Sequence, residues 1–316
     1  MKRILIADIS DYREEIADIY RKKNYDITFC DSAFDAISKL KAFDYELIIS
    51  EVELPGDNAF DLYEYIIENY SYIPVIMITE KNIDTFFHRI FTKGIGNVLH
   101  KPVNETELLN LSEKLITLNN IFGLENYVSG ITDMKRIRIT KSEQIKKAIS
   151  LLTGQIEEWG FNLVSKSTFN LLLNEMAINA IYHSHGYTEE KINRIPITLS
   201  EGKSVDLHFC RNRESFAISI SDYNGKLTKD KILESINSVI TQNELIERHI
   251  ETGEDITDMI SETGRGIDLV RKLSGEYYFI IKMNYRTEII LIFKHSDKNV
   301  TPEDSSLKII EDRRDR

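Results

Sequence analysis

Three polar residues at helical spacing, Glu175, Asn179 and His183, lie within LLLNEMAINAIYHSHG at 171–186. Residues four apart share one face of an α-helix. Leu171, Leu172, Met176, Ala177 and Ile181 surround that line with apolar surface. A buried carboxylate or amide is costly unless paired or bound to a ligand. One reading makes Asn179 a metal ligand and Glu175 a proton handler beside it. The other leaves Glu175 in solvent and Asn179 as a packing or capping residue. Two later segments favour the first. FAISISDYNG at 216–225 alternates like a strand and ends at a turn holding Asp222, Asn224 and Gly225. GRGIDLVR at 264–271 opens an apolar-periodic stretch with Gly264, Arg265 and Gly266. A glycine pair opening a helix presents backbone N–H groups to phosphate with no Cβ in the way.

A second group of chemistry-bearing residues lies in the first third of the chain. Five apolar runs, at 3–7, 27–30, 46–50, 74–78 and 97–100, alternate with amphipathic stretches near 11–23, 32–41, 58–69, 82–92 and 104–118. Five βα units with continuous apolar strands predict a doubly wound parallel sheet. The site of such a sheet lies at the carboxyl ends of its strands, which here carry Asp8, Glu51, Thr79 and Lys101.

The chain of 316 residues suits two domains. Its net charge is −11, with −8 in residues 1–120 and −3 in the rest. Neither part offers the basic face that nucleic-acid backbones require, so direct nucleic-acid binding is not expected. No apolar run is long enough to span a bilayer. The start, MKRILIADIS, breaks at Asp8 and does not read as a signal peptide, so a cytoplasmic setting is expected. Cys30 and Cys210 fall in predicted strands of different domains, with no metal-type spacing and no expected disulfide. Residues 119–134 read as a linker whose Phe122, Leu124, Tyr127 and Val128 dock on one domain or the other. Thr140 and Glu143 fit a capping box before the helix that follows. Residues 296–316 read as a polar, mobile tail.

The N-terminal motifs ELIISEVELPG, MITE and HKP make residues 1–118 resemble a response-regulator receiver domain. That family carries its phosphoryl group on an Asp after the third strand, where this chain has Glu51. It also has two acidic residues after the first strand, where this chain has Asp8 and Ile9, and a switch aromatic where this chain has Val98. The resemblance therefore implies a receiver outside ordinary aspartyl phosphorylation. Glu51 is expected to reach Lys101 and Thr79 and hold one state, or the domain serves as a docking module.

The order Glu-x-x-x-Asn-Ala, Asp-x-x-Gly, Gly-Arg-Gly-Ile makes residues 135–295 resemble the ATPase domain shared by gyrases, ninety-kilodalton heat-shock chaperones, histidine kinases and MutL proteins, the GHKL class. Within it, the anti-sigma-factor serine/threonine kinases are the nearest branch. The implied fold is an α/β sandwich following the N-terminal five-stranded parallel sheet. The implied cofactors are ATP and Mg²⁺. Asn179 would ligate Mg²⁺ and Glu175 would act as general base. Asp222 would take the adenine amino group, Asn224 and Gly225 the turn beside it, Gly264, Arg265 and Gly266 the phosphates, and Thr287 an adenine-side water. Asn224 would supply a positive φ in place of a family glycine, Lys226 would cover or obstruct the nucleotide, and residues 226–263 would form an acidic lid. Residues 119–160 contain no histidine, which excludes a conventional histidine kinase. The implied activity is Ser/Thr phosphorylation of a regulatory partner, a STAS-type anti-sigma-factor antagonist, with a sigma factor and a homodimer as further implied partners. The alternative is a non-catalytic nucleotide-binding or protein-sequestering switch.

Overall fold

The computed structural model describes residues 2–161, 163, 165–252, 265–294 and 305–314. The chain divides into two compact units. The first runs through Asn119 and includes Leu307 and Lys308; the second begins at Asn120 and includes Ile309 onward.

In the first unit, β1 (Arg3–Ala7), β2 (Asp26–Cys30), β3 (Leu47–Glu51), β4 (Val75–Thr79) and β5 (Asn97–His100) form a parallel sheet in the order β2–β1–β3–β4–β5. Each strand falls within one residue of its predicted span. β3 and β4 are buried along their whole length, as continuous apolar runs between helical layers require. The crossovers are α1 (Tyr12–Arg21), α2 (Ala33–Ala42), α3 (Ala59–Asn69), α4 (Phe87–Lys93) and α5 (Glu105–Thr117). Ser32 and Asn104 cap α2 and α5 by accepting the N–H groups of Asp35 and Glu107. The Lys101–Pro102 peptide is cis.

The second unit is built on β6 (Asp133–Ile139), β7 (Val205–Arg211), β8 (Ser215–Asp222), β9 (Glu276–Lys282) and β10 (Arg286–Lys294). They pair antiparallel in the order β6–β7–β8–β10–β9, and residues 309–311 of β11 (Leu307–Glu311) run parallel to β9. The helices are α6 (Ile145–Glu158), α7 (Lys166–Ile178), α8 (Thr188–Ile192), α9 (Lys229–Thr252) and α10 (Arg265–Leu273). α7 packs between α6 and α10, and α10 packs on α9. This is an α/β unit with a mixed sheet. Among the described residues no helix is long and apolar enough to cross a membrane.

Five expectations are corrected or refined. The helix expected through residue 186 ends as α-helix at Ile178, and a π turn, Asn179–His183, replaces it. The expected linker belongs to the second unit: Leu124, Tyr127 and Val128 are buried, and the Gly123 N–H donates to Glu288. The mobile tail does not describe residues 305–314. Leu307, Ile309 and Ile310 are buried in β11, and Leu307 and Lys308 pair antiparallel with Val98 and Asn97. Polar neighbours on both sides hid this short apolar run. The lid segment is mostly α9, with Ile232, Leu233 and Ile236 buried; residues 253–264 lie outside the described residues. At the start of α6, the Gln144 side chain takes the N–H groups of Thr140 and Lys141, a role expected of Glu143 and Thr140.

Candidate functional site

Parallel register gathers the carboxyl ends of β1, β3, β4 and β5 in the first unit, and Asp8, Glu51, Thr79 and Lys101 meet there. All four are buried: Asp8 is 0%, Lys101 5% and Glu51 6% exposed. The Lys101 ammonium donates to Glu51 Oε1 at 2.6 Å and to Ser10 Oγ at 3.1 Å, and lies 3.4 Å from Asp8 Oδ2. Asp8 Oδ1 accepts the Ser10 N–H at 2.7 Å. Burial works against the Lys101 charge, but Glu51 and Asp8 together hold it above its ordinary range. Burial, with the nearby Asp8 carboxyl adding to it, pushes the Glu51 carboxyl up to about 7 against the pull of Lys101. The expected Glu51–Thr79 contact is absent from this arrangement. The Thr79 hydroxyl donates to Glu53 Oε1 at 2.9 Å and accepts the Lys81 N–H at 3.0 Å. Glu53, two residues beyond Glu51, reaches the β4 end that Glu51 leaves for Lys101.

In the second unit, α7, the β8 end and the start of α10 converge. Glu175 and Asn179 are half-buried. Gly266, in the first turn of α10, approaches both. A Cβ there would stand 3.0 Å from Glu175 Cβ and 3.3 Å from Asn179 Nδ2, tighter than ordinary contact. Glycine here lets α10 approach α7 without displacing either side chain. Gly264 lies outside the described residues, as does the Arg265 side chain, although Arg265 opens α10.

Asp222 closes β8 and is buried. Its Oδ1 accepts from Ser184 Oγ at 2.6 Å and from the N–H groups of Asn224 and Gly225 at 3.0 and 2.9 Å. Opposite it in β10 sits Thr287, whose buried hydroxyl has no hydrogen-bond partner among the described residues. Gly225, not Asn224, takes the positive φ, at +58°. Asn224 instead bridges, donating to the Ser184 carbonyl and accepting from Lys203. Lys226 donates to Asn284 Oδ1 at 2.8 Å on the β9–β10 turn.

Asn179 does not present a free oxygen. Lys191, on α8, donates to Asn179 Oδ1 at 2.9 Å and to His183 Nε2 at 2.9 Å. His183 accepts through Nε2, so its proton is on Nδ1, facing Thr188 Oγ1. Burial, joined by Lys191 and Lys231, lowers the His183 pKa. Burial also lowers that of Lys191, with Glu175 opposing.

A separate cavity of about 570 Å³ opens among Lys229, Lys282, Asn284 and residues 311–314. Among its lining residues, Lys282 and Arg314 pair with Asp312, and Arg313 with Glu311. The chemistry-bearing residues above lie outside its lining.

Residues 4–113 match the response regulator receiver domain. The receiver is the first unit, and its strand-end cluster is the one just described. The Arabidopsis thaliana protein "Two-component response regulator-like APRR5" is 31% identical over 114 residues, 34% of this chain and 20% of its own length. "Two-component response regulator-like PRR1" of Oryza sativa subsp. japonica is 28% identical over 127 residues, 39% of this chain and 24% of its own. This chain therefore spans about a fifth to a quarter of the length of these relatives. The structure of chemotaxis response regulator CheY4 of Vibrio cholerae covers 36% of this chain and 98% of its own, at 21% identity and TM-score 0.34.

Sequence reading missed Glu53, Ser184 and Lys191. Glu53 follows the strand end closely enough to have been considered with Glu51. Ser184 and Lys191 are placed by the π turn and the short α8, neither of which leaves a periodic signal.

Proposed function

We propose that the second unit binds ATP and transfers phosphoryl groups to a Ser or Thr of a regulatory protein, a STAS-type anti-sigma-factor antagonist, while the receiver is held in one state. The observation that carries the nucleotide reading is the Asp222–Thr287 pair. Asp222 Oδ1 is saturated by three donors, whereas Oδ2 has no hydrogen bond among the described residues. The adjoining Thr287 hydroxyl is buried and has no hydrogen-bond partner among the described residues. A buried polar atom left without a partner is costly, and an adenine edge supplies both a donor and an acceptor. Gly266 packs closely on Glu175 and Asn179, and the backbone N–H groups that open α10 would face a phosphate beside them. The bound triphosphate would supply the transferable group. Glu175 would orient the partner hydroxyl, since phosphoryl transfer depends on positioning more than on covalent participation by the protein. The Mg²⁺ expected at Asn179 does not fit the same way, because Lys191 holds that oxygen.

The receiver reading rests on Lys101. Two buried carboxyls share one ammonium, and Glu51 is the closer of the two. That clamp makes the domain a fixed scaffold for partner contact.

The test is thermal unfolding of the full chain with millimolar ATP. Ligand at 100 times its dissociation constant stabilises by about 2.7 kcal/mol. The wild type is expected to shift by several degrees, and Asp222→Asn to lose the shift. No shift in the wild type overturns the nucleotide reading. Glu175→Ala should keep the shift and lose transfer to the partner protein; retained transfer overturns the role of Glu175. A non-catalytic switch is the second reading, favoured by Lys191, which occupies the Asn179 oxygen where a transfer site would hold a metal ion. In that case Glu175→Ala changes no output.

A further inference from the structure

Lys191 belongs to a five-residue helix that is firmly seated. The Tyr187 N–H donates to the Tyr182 carbonyl at 2.9 Å, the Tyr182 hydroxyl donates to the Ile195 carbonyl at 3.0 Å, and the Ile195 N–H returns to Glu190 at 2.8 Å. From this base the lysine reaches back over the π turn. Its ammonium lies on Asn179 Oδ1 and His183 Nε2. The Asn179 side chain is committed at both ends: Oδ1 to Lys191, and Nδ2 against the first turn of α10, where even a Cβ on Gly266 would be crowded.

A magnesium ion at Asn179 would need this same oxygen. Mg²⁺ demands near-octahedral oxygen ligation at about 2.0–2.1 Å and dehydrates reluctantly. To bind there it would have to expel a tethered cation or sit beside it, and two like charges a few ångströms apart in a half-buried site repel strongly. The lysine meets neither obstacle. An ammonium has three N–H donors; among the described residues two are used, by Asn179 and His183, which leaves one for an anionic oxygen. Lysine binds phosphate as a point charge. Lys231, on α9, adds a second positive charge felt at His183.

We propose that Lys191 takes the place of a divalent ion at Asn179, so that nucleotide phosphates bind the second unit without Mg²⁺. The inference rests on the nucleotide reading above. Across the π turn, Asn179 and His183 face this one ammonium.

The test is ATP binding by the full chain, measured calorimetrically in EDTA and in excess Mg²⁺, for wild type, Lys191→Met and Lys191→Arg. The wild type is expected to bind with dissociation constants within threefold in the two conditions. Lys191→Met should lose at least tenfold in EDTA and recover part of that loss with Mg²⁺, which can then reach Asn179. Lys191→Arg should keep metal-free binding. Wild-type binding seen only with Mg²⁺ overturns this proposal and leaves the nucleotide reading standing. Lys191→Met binding in EDTA as well as wild type also overturns it. No binding in either condition overturns both. Circular dichroism of each variant separates loss of binding from loss of fold.

Discussion

Gly225 offers the sharpest test of the packing around Asp222. Its φ is +58°, and a Cβ there would lie 2.4 Å from the Lys282 carbonyl oxygen, 2.7 Å from the Tyr285 nitrogen and 2.9 Å from the Arg286 nitrogen. All three are backbone atoms, so no side-chain rotation relieves the clash. Gly202 supplies an internal control: its φ is +79°, but nothing lies within 4 Å of a Cβ there. Left-handed strain costs roughly 1–2 kcal/mol for a non-glycine residue. The gain from restricting the unfolded chain, about 0.4–1 kcal/mol, is common to both sites. Gly202→Ala should therefore cost about 1 kcal/mol. Gly225→Ala adds overpacking of about 1–3 kcal/mol, and the Gly225 N–H bond to Asp222 shifts with it. Urea unfolding of the full chain, followed by Trp159 fluorescence, reads the second unit. Trp159 is the chain's single tryptophan, and its ring lies 5.7 Å from that of Phe209. A Gly225→Ala cost no greater than that of Gly202→Ala would refute the reasoning. A larger cost should come with a lost ATP shift, because the Asp222 turn is what Gly225 holds.

The Glu51 carboxyl, raised from 4.5 to about 7 chiefly by burial, makes folding favour its neutral form. The stability this contributes is present below about pH 4.5 and is lost as pH rises through 7, a change on the order of 3 kcal/mol. Relative to Glu51→Gln, the wild type should weaken between pH 5 and pH 8 in urea unfolding; a constant difference between the two would refute the raised Glu51 carboxyl. Lys101→Met leaves two buried carboxyls unpaired and should cost about 3–5 kcal/mol at pH 8, with part of the loss recovered at pH 5 as Glu51 takes a proton. Equal losses at both pH values would show that the cost lies elsewhere. Acetyl phosphate should leave residues 4–113 unmodified by intact-mass analysis; a stoichiometric phosphoryl adduct there would sink the held-receiver reading.

Legibility differed between the two units for physical reasons. In the receiver, apolar runs buried on both faces map one-to-one onto strands, and a parallel sheet forces its strand ends together. Asp8, Glu51, Thr79 and Lys101 were therefore readable as a set. The hydroxyl partner was not, because Glu51 and Glu53 both follow the same strand and only side-chain reach assigns Thr79 to the second. In the second unit, Asp222 and Thr287 are partners in the β8–β10 register, 65 residues apart in sequence. Periodicity does not give that pairing; the resemblance did. β11 escaped notice because its buried residues are so few between charged neighbours. The π turn escaped because the sequence pattern over 171–186 is a good α-helix, whereas the Ser184 N–H bonds back five residues to the Asn179 carbonyl.

The two units share one chemical device. In each, a lysine ammonium donates to a side-chain oxygen: Lys101 to Glu51, beside Asp8, and Lys191 to Asn179, where the second resemblance implies Mg²⁺. A tethered +1 charge differs from a bound ion in two ways. It cannot be removed by chelation, and it does not bring exchangeable waters into the site. If Lys101 on Glu51 holds the receiver, it answers to no incoming phosphoryl group, and if Lys191 charges a nucleotide pocket, that pocket follows no metal level. Both units would then report only on what binds them. Mg²⁺ alone should leave the unfolding temperature of the wild type unchanged while stabilising Lys101→Met, whose freed Asp8 and Glu51 carboxylates can take a cation. Stabilisation of the wild type by Mg²⁺ as large as that of the variant would mean that these lysines yield their oxygens readily, and the common device would fail in the receiver, where the charges are most deeply buried.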